Sequence, residues 1–109
     1  MHHPEFLPVL RERFGAAEVQ QIVVFLNRGF SSNGELVVAS LFIHAANQGK
    51  NADQILMACE GEWRRSWQFQ HPDLRGNPDA PGAAGMQNVS SLVTIYQKLE
   101  ISNPCLQKA

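Results

Sequence analysis

Apolar residues recur along this chain at intervals of three and four, the spacing that lines one face of an α-helix. Phe6, Leu7, Leu10 and Phe14 carry it over residues 4–14, where Pro8 is tolerated only in a first helical turn. Gly15 closes that short helix. Val19, Ile22, Val23 and Leu26 line a second helix over 16–28, with Gly29 where a left-handed C-cap belongs. Phe30 to Gly34 reads as a turn, and Ser32 or Asn33 offers a side-chain cap to the helix that follows.

The segment from Glu35 to Gln48 is apolar on almost every side. Leu36, Ala39, Ile43 and Ala46 share one face, while Val37, Val38, Leu41, Phe42 and Ala45 cover most of the rest, so no broad polar face remains. A helix of that kind is expected to be surrounded by others. A buried strand over Leu36 to Ile43 is the rival expectation; the length, the alanines and the stop at Gly49 favour helix. A fourth helix over 52–69 carries a seam of Leu56, Cys59, Trp63 and Trp67, with Glu60, Arg64 and Arg65 outside it. Gly61 within that helix implies a kink or a close crossing. Prolines and glycines crowd the stretch from His71 to Gly85 and exclude regular structure there. Val89, Leu92, Val93, Tyr96 and Leu99 then predict a last helix over 86–100.

The fold expected is all-α: a compact bundle of four to five helices around a central apolar helix at 35–48, with a long Pro/Gly loop at 71–85. It forms a single domain over 1–109, with flexible ends at about 1–4 and 102–109. Composition agrees, since 44% hydrophobic and 17% charged residues is the balance of a chain that folds on its own. A net charge of -1, from nine basic and ten acidic residues, gives no electrostatic footprint for nucleic acid or anionic membrane. No apolar run approaches the roughly 20 residues of a membrane span. The opening residues lack the basic and apolar regions of a signal peptide. A cytoplasmic location is expected, and with it free thiols at Cys59 and Cys105.

The chemistry-bearing side chains do not assemble into a familiar site. His2 and His3 are adjacent, His44 and Cys59 lie in different helices, and no Cys-x-x-Cys or His-x-x-x-His pair occurs, so no metal is expected. The glycines of 76–85 match no phosphate-binding pattern, and no cofactor is expected. His44 is the polar interruption of the apolar helix and a candidate for a closed catalytic or ligand site. The preferred reading makes it a boundary residue with a ring nitrogen bonded to a carbonyl. No catalytic residue is assigned.

Ala45, Gly49 and Ile55, spaced Ala-x3-Gly-x5-Ile across a turn at Gly49-Lys50-Asn51, resemble the helix-turn-helix signature. The resemblance implies a DNA-binding regulator over about 41–60, in which the alanine packs the first helix, the glycine makes the turn and the next helix enters the major groove. His44, Gln48 and Lys50 stand where that signature carries apolar residues. Asn51, Gln54, Arg64 and Arg65 would supply the contacts, beside an unhelpful carboxylate at Asp53.

The stretch from Trp63 to Phe69 mixes aromatic and basic residues, the types most enriched at interface hot spots. Arg64, Arg65, Gln68, Phe69, His71, Asp73, Leu74 and Arg75 are therefore the candidate protein-binding residues. On the plainer reading Trp63 and Trp67 belong to the core and the arginine stems cover apolar surface. The leading functional expectation is a small non-enzymatic module that binds and modulates a partner protein or self-associates. A DNA-binding regulator comes second, and an enzyme or ligand binder using His44 third. No membrane partner is expected.

Overall fold

A computed structural model describes residues 2–28, 30–70 and 89–102, with the side chains of 66–70 and 89–90 outside the description. Among the described residues five helices follow one another: α1 (Phe6–Arg13), α2 (Ala16–Leu26), α3 (Ser32–Asn47), α4 (Ala52–Gln70) and α5 (Val89–Leu99). Among the described residues there is no strand, so the rival reading of 36–43 is excluded. The expected loop at 71–85 lies outside the described residues.

Local chemistry sets the boundaries. Pro8 falls in the first turn of α1, where no helical hydrogen bond is lost. The cap of α3 is Ser31, whose Oγ accepts from the Gly34 amide at 3.0 Å; the sequence pointed one or two residues later, to Ser32 or Asn33. Gly49 ends α3 with φ +89, and the amides of Gly49 and Lys50 donate back to the carbonyls of Ala46 and Ala45. That is the glycine-terminated double bond of a Schellman stop, which a side chain would strain. Two residues later Asn51 and Gln54 cap α4 reciprocally, each side-chain oxygen accepting from the other's amide at 2.9 and 3.1 Å.

The core is one cluster. Leu10 comes from α1 and Phe14 from its C-cap, Val19, Ile22, Phe25 and Leu26 from α2, and Val38, Ala39, Leu41, Phe42 and Ala45 from α3. Ala52, Ile55, Cys59 and Trp63 join from α4, and Ile95, Tyr96 and Leu99 from α5. Phe25, Phe30, Phe42 and Trp63 meet edge-on or tilted, with Phe30 and Trp63 closest at 5.1 Å between ring centres. Trp63 is fully buried, which settles it as a core residue. α3 packs against α1, α2 and α4, and α5 packs on α4.

Two features depart from the sequence reading. The apolar segment is not enclosed on all sides: Leu36 is 40% exposed and Val37 43%. The buried seam of α5 includes Ser91 and Ile95, whereas Val93 is only half-buried.

Two carboxylates lie inside. Glu35, in the first turn of α3, accepts the backbone amides of His2 and His3 at 2.9 Å each, and His2 Nδ1 lies 3.2 Å from its Oε2. The start of the chain, read from sequence as a flexible end, carries these bonds. Glu62 accepts from Arg65 Nε at 3.0 Å and from the same guanidinium's Nη2, with Lys98 Nζ 3.9 Å away.

Candidate interaction surfaces

An open groove of about 520 Å³ runs between α2 and α4, within the range of ordinary binding clefts. Ala17, Gln20, Gln21, Val24 and Phe25 form its α2 wall, Leu56 and Glu60 its α4 wall, and Arg28 stands at its end. The α2 positions that face this groove, Ala17, Gln20, Gln21 and Val24, carry no formal charge, and Val24 is 60% exposed among them; Glu18 is exposed outside the groove lining. A second groove of about 610 Å³ opens on the other side of the same helix, between Leu7, Arg11 and Phe14 of the α1 region and Val19 and Val23.

Arg28 is fixed from three directions. Its Nη2 lies 2.9 Å from Glu60 Oε1, and its guanidinium sits 4.9 Å from the Phe25 ring centre and 5.9 Å from that of Trp63. Stacking and the ion pair hold a planar cation at the groove's edge with its geometry set in advance.

Of the residues singled out from sequence, Arg64 and Arg65 are exposed on α4. Arg64 lies one helical turn beyond Glu60 on the same face, so the groove and the expected arginine surface adjoin. Arg65 is tied to Glu62, whose hydrogen bonds and charge raise the guanidinium's pKa above its ordinary value. Gln68 and Phe69 lie in α4 with side chains outside the description, and His71, Asp73, Leu74 and Arg75 lie outside the described residues altogether. The sequence reading missed the α2 wall. A signal for it was present in the run of uncharged outward positions Ala17, Gln20, Gln21 and Val24.

The helix-turn-helix resemblance finds its three packing positions in place: Ala45 and Ile55 are fully buried and Gly49 makes the turn. Asn51 and Gln54, the residues nearest a major groove on that reading, are engaged in the cap of α4. Lys50 and Lys98 converge with Gln54 and Met57 on a third groove of about 500 Å³.

His44 is half-buried and lines none of these three grooves. Cys59 is a free thiol inside the core, and burial pushes its pKa far up, so it is inert as a nucleophile. Cys105 lies outside the described residues. Among the described residues no three histidine, cysteine or acidic side chains group so as to hold a metal ion. No helix among them is long and apolar enough to cross a membrane. No protein family matches the chain, and neither does any curated protein or solved structure.

Proposed function

We propose that this protein is a small, non-enzymatic interaction module of the cytoplasm that binds and modulates a partner protein. The binding surface is the groove between α2 and α4, extended along α4 by Arg64 and Arg65. The observation that carries this reading is Val24, 60% exposed on a charge-free helix face beside a groove with an apolar floor and a fixed cation at its end. Such a groove suits the apolar stripe of an amphipathic helix, with Arg28 and Glu60 setting its orientation. The test is affinity purification from the native cell, quantified by mass spectrometry, with Val24→Glu and Arg75→Ala compared against the unaltered chain. Proteins enriched by the unaltered chain should be lost with Val24→Glu while its circular dichroism stays the same. Retention of the same set by a folded Val24→Glu chain rules the groove out.

One observation favours a second reading as a DNA-binding regulator. The turn at Gly49, with Lys50 directly before α4, is what a helix-turn-helix reading uses to lead into its second helix. Anisotropy of a labelled duplex over a salt series decides it. Binding that weakens with salt and is lost in Lys50→Ala and Arg64→Ala supports this reading, and no binding at low salt removes it.

A further inference from the structure

We propose that α3 pairs with α3 of a second copy of this chain, antiparallel about a two-fold axis at Ser40. This goes beyond the α2–α4 groove and shares no residue with it.

The pairing is written in the outward stripe of α3. Val37 lies three residues before Ser40 and Ile43 three after; Leu36 and His44 lie four away, and Asn33 and Asn47 seven away. An antiparallel two-fold at Ser40 therefore sets Val37 against Ile43 of the second copy, Leu36 against His44 and Asn33 against Asn47. Apolar residues meet near the axis and amides meet at the rim, the arrangement of a protein interface. A two-fold contact requires a patch to complement itself, and this stripe does so residue by residue.

Three observations single out a second copy as the occupant. The stripe carries no Asp, Glu, Lys or Arg, so self-pairing opposes no such like charges within it. Its flanks carry opposite charges: Arg13, donating to Asn47 Oδ1 at 2.9 Å and 3.7 Å from the exposed Glu12, stands at one end, and Glu5 stands at the other beside His3 and Ser32. Antiparallel pairing brings each Arg13 toward Glu5 of the second copy. Ser40, at the crossing point, is small, and its hydroxyl already donates to the Leu36 carbonyl at 2.9 Å. Close approach there leaves no donor unsatisfied.

The platform is held before pairing. His2 and His3 pin the first turn of α3, and Gln48 exchanges hydrogen bonds with the Ser102 backbone at 2.8 and 3.1 Å beyond its last. The contact is small. From Asn33 to Asn47 a helix spans about 21 Å, and a single-helix contact falls short of the roughly 800 Å² per partner of a standard interface. A dissociation constant in the micromolar range or weaker is expected.

Sedimentation equilibrium of the full chain from about 1 μM to about 1 mM tests this, the span over which such a dimer fills. The mass should rise from the monomer's 12.1 kDa toward twice that value. Ser40→Glu and Ser40→Lys, which place like charges on the axis, should each weaken association about tenfold or more, and an equimolar mixture of the two should restore it as a heterodimer by native mass spectrometry. Val37→Asp repeats the disruption should either Ser40 variant fail to fold by circular dichroism. Val24→Glu should leave association unchanged, which separates this pairing from the groove. A monomeric mass at every concentration, or dimerisation undiminished by charge on the stripe, overturns the proposal.

Discussion

Glu35 and Glu62 are both buried carboxylates, yet they are held by opposite means. Glu35 rests on two backbone amides, donors that belong to the main chain rather than to a side chain. Burial by itself would raise its pKa, but those amides and His2 together outweigh it and hold the group below its ordinary value. Glu62 rests on the tips of two flexible cations, Arg65 and Lys98, each substantially exposed. The first arrangement is fixed by the path of the chain, and the second by two removable side chains. Burial of a charge thus says little about its robustness until the donors are named.

The contrast can be broken hardest at Glu62. Arg65→Met with Lys98→Met strands its carboxylate without a cation and should cost about 3 kcal/mol of stability by urea denaturation. Adding Glu62→Met should recover most of that loss, and an unchanged midpoint in the double variant would show that water reaches the site. Glu35→Gln should cost less, about 1–2 kcal/mol, because the amide keeps one acceptor oxygen for its two N–H donors. Gly61→Ala should stabilise by up to about 1 kcal/mol, since a Cβ there meets only Lys98 Nζ at 3.8 Å and the helix loses a flexible residue. A loss of stability would mean that the added methyl disturbs the approach of Lys98 to Glu62.

The smallest effect is one of pH. His3 Nδ1 faces a Glu5 oxygen at 3.0 Å, and Nε2 lies 2.8 Å from the Ser32 carbonyl and 3.1 Å from the Ser32 hydroxyl, surroundings that favour the protonated ring. The Glu5 hydrogen bond first, and the Ser32 carbonyl second, raise its pKa above the ordinary 6.5. Its contribution is complete below that value and is lost as pH rises through the higher folded one. Glu35 runs the other way: its contribution is complete above its ordinary 4.5 and is lost as pH falls through the lower folded value. Thermal melts of the unaltered chain and His3→Gln should differ most below about pH 6.5 and converge in mild alkali. A constant difference would locate the effect in packing rather than charge.

The helices were legible because their apolar spacing is local, as at Val19, Ile22 and Leu26. What periodicity cannot tell is where neighbouring helices stand. Leu36 and Val37 were read as enclosed, yet no described helix covers them. Tertiary pairing is equally invisible: Glu35 is bonded to residues more than thirty positions earlier, and Arg28 reaches Glu60 across the same span. Glu62 has a local signal in its i, i+3 spacing to Arg65, beside the stronger seam around Trp63. At the expected site, Arg64 and Arg65 reach the surface because their helix turns them from the core, a matter of period. The α2 wall went unread because a surface is marked there by missing charge.

Arg28, lying over the Trp63 ring and held there by Glu60, makes the groove optically legible. Indole emission responds to a nearby cation, so an occupant that draws Arg28 away should change the fluorescence of a residue it never touches. The chain holds two tryptophans, and Trp67→Phe would leave Trp63 as the single emitter. The groove therefore carries its own reporter, and binding can be followed without a label.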